Sequence, residues 1–318
     1  YKFMKQKIVL IGLGNIGMMY DFKKSKSSIL TYAKAIKQSK KLEFVGAVDI
    51  SKKQRELFEG KYKVKSFSST KKLLQKIDPD IIIISTPTKT HSKIISDIMI
   101  KKNNIFIICE KPLTENLQKI SKIKRLTEKN NIKIFTNYMR LVDPKVLYLK
   151  NIIKFSKKSN FFCEIFYNGT LLNNCSHYIS LMIYFFGNEY KLKILNRRKN
   201  YFDFKLIFQN SEVYFYSSTI RNIQYEDIRL INKRFIFSYR NGGKELVKEK
   251  AVNNSIYGIG KHYIPSMKIA DNFYKYSQKF VIKEIENLFL KNKKNLMGDI
   301  SHAKDVQYLI KKIYEKKL

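Results

Sequence analysis

The run Lys7–Gly17, KIVLIGLGNIG, constrains this chain more than any other stretch. Four apolar residues, Ile8 to Ile11, read as a buried strand that passes directly into Gly12-x-Gly14-x-x-Gly17. Gly12 permits the tight turn such a strand needs. Gly14 removes the side chain that would block a pyrophosphate, and Gly17 lets the next helix pack close to the strand. The head of that helix, at Asn15 and Ile16, offers N–H groups and a positive dipole end to phosphates. A glycine pattern of this kind is weak by itself and gains force only if strands and helices continue to alternate around it.

They do alternate. Residues 18–28 (MMYDFKKSKSS) are polar, basic and poorly periodic. Helical spacing resumes at Ile29, Tyr32, Ala33 and Ile36, with Ser27 or Ser28 as its expected cap. Phe44–Val48 is the next strand and ends in Asp49, which lies 32 residues beyond Gly17. The usual spacing to such an acid is about 20 residues, so residues 18–28 read as an insertion at the mouth of a nucleotide site. The basic and polar side chains Tyr20, Asp21, Lys23, Lys24 and Lys26 are expected near the cleft. Asp49 can accept from both adenosine ribose hydroxyls and would repel a 2′-phosphate, which favours NAD over NADP. Its other reading is a helix cap before SKKQREL.

Further strands follow at Ile81–Ile84, Ile105–Ile108 and Ile132–Phe135, the first all apolar as in a sheet covered on both faces. Helices separate them, one with Ile94, Ile95, Ile98 and Met99 on one face, another from Thr114 to about Asn130. This alternation is the pattern of a doubly wound parallel sheet, in which ligands sit outside the carboxyl ends of the strands. The polar clusters STPTKTH, CEKPL and NYMR all fall at such ends.

From Phe161 the period changes to two, as in Phe202-x-Phe204-x-Leu206-x-Phe208 and Phe235-x-Phe237-x-Tyr239, with turn signals at Gln209-Asn210 and Gly242-Gly243. These segments predict a large, open, mostly antiparallel sheet. A helical segment, Leu171–Phe186, carries Asn173 and His177, and two long helices are expected near Met267–Asn292 and Ser301–Lys316. A chain of 318 residues exceeds the usual size of one core. The reading is therefore α/β, with a Rossmann domain over residues 1–143 and an α+β substrate and oligomerisation domain over 144–318. The terminal helices are expected to pack back on the first domain.

Composition narrows the function by exclusion. The net charge of +37 invites a nucleic-acid partner, but the lysines are spread along the whole chain rather than gathered in one arm or helix. No zinc-finger spacing or aromatic RNA-binding signature accompanies them, so no specific nucleic-acid partner is expected. The charge suits anionic small molecules instead. No run reaches the 18 or so apolar residues a membrane span needs. With the first strand so near the start of the sequence, no cleavable leader is expected. Three cysteines without metal-ligand spacing point to a reducing cytoplasm and to no metal site.

Taken together, GLGNIG, AVD, STPTKTH, CEKPL, NYMR and GTLLNNCSHYISLMIYFFG resemble the Gfo/Idh/MocA (glucose–fructose oxidoreductase / inositol dehydrogenase) family, in that family's order from Gly12 to Gly187. The resemblance implies NAD(P)-dependent oxidation of a carbinol on a sugar, inositol or nucleotide-sugar. It also implies dimers or tetramers built through the open sheet, and a catalytic lysine at Lys111 with a non-trans peptide nearby. On this reading Gly12, Gly14, Asn15, Ile16, Gly17, Asp49, Ser85, Thr86, Pro87, His91, Glu110 and Lys111 contact the cofactor. Lys111 and His177 handle the proton, and Asn173 positions substrate.

The chemistry fits the lysine, since partial desolvation beside a cationic ring lowers a lysine's proton affinity. The plain alternatives are a surface lysine at Lys111, a core histidine at His177 and a helix-capping His91. Two positions depart from the family pattern, Asn173 and Ser180, where aspartates are usual. Asparagine can hold a hydroxyl or acetamido group but cannot act as a base, which tilts the substrate toward an N-acetylated or nucleotide-linked sugar. The rival reading is a nucleotide-binding regulatory or scaffold protein with its catalysis decayed.

Overall fold

The computed structural model describes residues 5–23, 28–155, 160–218, 225–253, 260–271, 273–291 and 298–316. The chain opens with strand β1 (Gln6–Ile11), a wide helical turn over Asn15–Met19, and helix α1 (Tyr32–Gln38). Then come β2 (Leu42–Val48), α2 (Lys52–Tyr62), β3 (Ser66–Phe67), α3 (Thr70–Leu74), β4 (Ile81–Ile84) and α4 (Thr88–Lys101). Next are β5 (Phe106–Glu110), α5 (Leu117–Asn130), β6 (Lys133–Asn137) and α6 (Pro144–Phe155). The second part carries β7 (Phe161–Asn168), a wide turn over Leu171–Cys175, α7 (Ser176–Phe186), β8 (Lys191–Arg198), β9 (Tyr201–Phe208) and β10 (Ser211–Ser218). It continues through β11 (Asp227–Ile231), β12 (Phe235–Arg240), β13 (Glu245–Asn253) and β14 (Lys261–Ala270). The chain ends in α8 (Ser277–Lys291), β15 (Gly298–Asp299) and α9 (Ile300–Glu315).

Two compact units result, one formed by residues 1–142 with 275–304, the other by 143–274 with 305–318. Among the described residues the first unit holds a seven-stranded sheet in the order β15-β6-β5-β4-β1-β2-β3. Its pairs are parallel except β15 against β6. Every residue of β4 is fully buried, as a central strand covered on both faces requires. Strand order reverses between β1 and β4, so the ends of β1, β4 and β5 are neighbours at the switch point where such sheets take ligands.

The second unit holds an eight-stranded sheet, β14-β13-β12-β11-β7-β10-β9-β8, antiparallel except for the parallel pair β7–β10. Period-two burial is plain in β9, where Phe202, Phe204, Leu206 and Phe208 turn inward and their neighbours do not. Each inward phenylalanine contributes about 1.5–3 kcal/mol by leaving water. Both sheets match the fold class expected from periodicity. No helix among the described residues is long and apolar enough to cross a membrane.

Local expectations need correcting in three places. Met267 lies in strand β14, not in a helix, and the helix begins only at Ser277. Pro265 is tolerated there because β14 is an edge strand, and it faces Glu249 next to a slip in the β13 register. Asn292 lies outside the described residues. Helix α5 starts at Leu117 because Asn116 caps it, accepting the Lys119 amide at 3.0 Å, while the Thr114 hydroxyl donates to the Asn116 carbonyl. Helix α1 follows Thr31 rather than Ser28; Ser27 is outside the described residues.

Candidate functional site

At the end of β1 the chain turns sharply at Gly12, whose φ of +100° lies in the region that favours glycine. A Cβ on Gly12 would meet the Ser85 backbone at 2.8 Å, and one on Gly17 would meet the Gly12 carbonyl at 2.1 Å. Gly14 differs. A Cβ there would meet nothing within 4 Å, so no protein atom explains the missing side chain. Gly14 and Asn15 are exposed, Ile16 is half-buried, and the Met18 amide donates back to the Gly14 carbonyl at 2.8 Å. The amides of Asn15 to Gly17 thus head a short helical turn over an open surface, which fits a dinucleotide's pyrophosphate.

Two neighbours hold this loop in shape. The Ser85 hydroxyl donates to the Gly12 carbonyl at 2.8 Å and is buried, so its side chain braces the loop rather than facing a cofactor. Asp49 accepts the Leu13 amide on Oδ2 and the Ser51 amide on Oδ1, both at 2.8 Å. The cap of α2 is Ser51, accepting the Gln54 amide, so Asp49 is not the helix cap its sequence allowed. Each Asp49 oxygen keeps a lone pair for a ribose hydroxyl. Beside it, Thr86 is half-buried and Pro87 exposed at the end of β4.

Within the segment after Gly17, one side chain departs from expectation. Asp21 is buried, accepting the Leu30 amide and the Thr31 hydroxyl, each at 2.6 Å. Its carboxylate serves the entry into α1 and does not face solvent. Phe22 sits beneath the Lys61 ammonium at 4.2 Å, so the segment packs toward α2. Tyr20 and Lys23 are exposed, and Lys24 and Lys26 lie outside the described residues.

The end of β5 carries Glu110 and Lys111, followed by a cis Lys111–Pro112 bond. Glu110 Oε1 accepts the Tyr32 hydroxyl at 2.5 Å and the Asn137 amide at 2.8 Å. One oxygen of the Glu110 carboxylate is therefore engaged by two protein donors. Burial lowers the proton affinity of Lys111, Glu110 opposes that, and Arg140 adds to the lowering. His91 is fully buried, with Nδ1 3.1 Å from the Pro112 carbonyl and Nε2 2.7 Å from the Thr86 carbonyl. It ties the segments after β4 and β5 together and lies inside α4 rather than capping it.

Asn173 and His177 belong to the second unit. Asn173 is exposed on the wide turn, with its backbone N–H donating to the Thr170 hydroxyl at 3.3 Å, and His177 is half-buried on α7. The residues just after them are anchored by one carboxylate: Asn174 donates to Glu226 Oε1 at 3.0 Å and Tyr178 to Oε2 at 2.9 Å. Ser180 is fully buried. Sequence reading missed Tyr32, Asn137 and Glu226 as parts of these arrangements. NYMR marked the neighbourhood of Asn137, but Tyr32 carries no signal beyond an apolar helix face, and Glu226 none beyond one of two adjacent acids before a strand.

Residues 6–138 match the family model for Gfo/Idh/MocA proteins, described as an oxidoreductase family with an NAD-binding Rossmann fold. Over 150 residues the chain is 25% identical to the myo-inositol 2-dehydrogenase of Thermotoga maritima. That match takes in 46% of this chain, which spans only 40% of the length of that curated relative. The fold is similar, at a TM-score of 0.76 and 13% identity, to the UDP-N-acetylglucosamine 3-dehydrogenase of Acidithiobacillus ferrooxidans, covering 98% of this chain and 97% of that one. It is also similar, at a TM-score of 0.74 and 13% identity, to the WlbA dehydrogenase of Bordetella pertussis in complex with NADH and UDP-GlcNAcA, covering 99% and 96%. These likenesses extend the shared fold through the second unit.

Proposed function

We propose that the chain is an NAD-dependent dehydrogenase acting on a carbinol of a sugar or nucleotide-sugar, a reading supported by the match of residues 6–138 to an oxidoreductase family with an NAD-binding Rossmann fold. NAD, when bound, supplies the hydride acceptor. Lys111 supports the reading most directly: it ends a strand two places from the glycine loop, and burial lowers its hold on a proton. Its neutral Nζ would bind the reacting oxygen and take the hydroxyl proton as the carbinol carbon loses hydride, leaving a ketone. His177 shares that proton or orients the hydroxyl, and the Asn173 amide holds a second hydroxyl or an acetamido group. Asp49 at the ribose selects NAD over NADP. Nucleotide-sugars fit the net positive charge and the names of the two neighbours described above.

A second copy of the chain is the proposed partner, against the uncovered face of the eight-stranded sheet. That face carries an aromatic belt, Phe162 on Tyr214 at 5.1 Å and Phe166 on Tyr216 at 5.3 Å, beside an exposed Tyr225. The ion pairs Arg229–Glu164 and Lys205–Glu212 lie among the rings. The three free, buried thiols suit a cytoplasmic setting. The enzymatic reading is tested by NADH formation against a panel of inositols, hexoses and nucleoside-diphosphate sugars. Activity with one class, lost in Lys111→Ala, is the expected result.

A further inference from the structure

The segment after Gly17 has no counterpart in a compact nucleotide-binding unit, and its one buried acid points to what it does. Asp21 holds the Leu30 amide and the Thr31 hydroxyl at 2.6 Å, with the Lys34 ammonium 3.9 Å away. These bonds fix the chain as it enters α1, whose first residue is Tyr32. Tyr32 is fully buried and donates to Glu110 Oε1 at 2.5 Å. The Asn137 amide, 2% exposed, donates to the same carboxylate oxygen at 2.8 Å and to the phenol oxygen at 2.6 Å. Groups from α1, β5 and β6 thereby close a three-membered ring of hydrogen bonds on the residue that precedes Lys111. Two donors on one carboxylate oxygen fix its direction and stabilise its charge.

We propose that Tyr32 is a positioning residue for Lys111: with the Asn137 amide it holds the Glu110 carboxylate still, and so fixes the negative charge beside the lysine. Through Asp21, the segment after Gly17 sets where that hydroxyl stands. The role of Lys111 in turnover rests on the dehydrogenase reading, whereas the effect on its protonation does not. The brace itself does not titrate in the working range. Burial, then the Glu110 charge, pushes the Tyr32 phenol well above its ordinary pKa, so it remains a donor. The charged groups acting on Lys111 are Glu110 at the end of β5 and Arg140 from beyond β6; the one acting on Tyr32 is Glu110, while the neighbouring Cys109 thiol is kept neutral by burial. Without the hydroxyl, Glu110 keeps only the Asn137 donor and can turn toward the ammonium, strengthening the one influence that opposes burial.

The test is the pH dependence of acetylation of Lys111 by acetic anhydride in the full chain, read on its own peptide by mass spectrometry. In Tyr32→Phe the labelling midpoint should rise by roughly half a pH unit or more, the scale of a changed charge contact. Asn137→Ala should move it in the same direction, and it carries the test if Tyr32→Phe does not fold. An unchanged or lower midpoint in a folded Tyr32→Phe protein overturns the proposal, because a purely structural tyrosine would alter Tm without moving that titration. In turnover, the Lys111 limb of the kcat/KM profile should move with the labelling midpoint while KM for NAD stays. A shifted midpoint in a protein that oxidises no substrate would support the positioning role and sink the dehydrogenase reading instead.

Discussion

Lys145 and Lys111 are both drawn out of water, and the company each keeps differs. In the second unit the Lys145 ammonium, 1% exposed, lies 2.5 Å from Asp271 Oδ1 and 3.1 Å from Asp143 Oδ1. Asp143 is itself buried and accepts the Tyr239 hydroxyl at 2.7 Å. Burial raises its carboxyl pKa, against the opposing influence of Lys145 and Tyr239. In the first unit Lys111 has Glu110 beside it, but that carboxylate already accepts Tyr32 and Asn137, and burial prevails over its charge. A buried ammonium between two carboxylates is a structural tie. A half-buried lysine such as Lys111, whose hold on its proton is weakened, can bind and release one, which is the property proton transfer needs.

Substitutions separate the two roles, and the largest effect is expected at Lys111. Lys111→Ala should lower turnover by about 10²–10⁴-fold, the scale of general acid–base catalysis, with NADH binding largely intact by fluorescence titration. Equal activity would return Lys111 to the class of plain surface lysines. Lys145→Met should leave turnover per folded molecule unchanged. It strands Asp143, so unfolding in denaturant should show a loss of about 3–5 kcal/mol. A variant as stable as the parent would mean that the two carboxylates do not need the ammonium.

A smaller effect is expected at the other strand-end acid. Asp49→Ala removes the acceptor for the Leu13 amide and the proposed ribose contact, and should weaken NADH binding by about 1–3 kcal/mol, the scale of hydrogen bonds to a charged group. It should also erase any preference for NADH over NADPH, measured by titrating both. A parent with no such preference would contradict the reading of Asp49.

The smallest effect concerns stability and pH. Burial depresses the Lys111 pKa in the folded chain from an ordinary value of 10.5. The unfolded chain then binds more protons, so stability rises with pH between the folded value and 10.5, and the charged lysine is a cost below it. Lys111→Met should therefore melt slightly higher than the parent at neutral pH, with the gap narrowing as pH approaches the ordinary lysine value. A variant that melts lower at neutral pH would show that Lys111, like Lys145, is a structural charge.

The alternation of Ile81–Ile84 with amphipathic helices and the period-two run Phe202–Phe208 made both sheets legible from sequence, because periodicity records which face is buried. Gly12 and Gly17 were legible because each answers a local steric demand, whereas a Cβ on Gly14 would meet no protein atom within 4 Å. Met267 was misread since three apolar residues in an edge strand with a proline mimic the start of a helix. The Tyr32–Glu110–Asn137 ring was illegible. Its members are 78 and 27 residues apart, and Tyr32 looks like any apolar-face residue. Asp21 looked like one more polar residue in a basic insertion, because nothing local announces that its partners, Leu30 and Thr31, lie across the turn.

The most direct test of the central claim is hydride transfer itself: the parent protein with NAD and a panel of nucleoside-diphosphate sugars, hexoses and inositols, followed by NADH absorbance. The expected result is NADH formation with one substrate class, abolished in Lys111→Ala and retained in Lys145→Met. NADH binding without turnover of any member of the panel would contradict it and favour a nucleotide-binding protein whose catalysis has decayed.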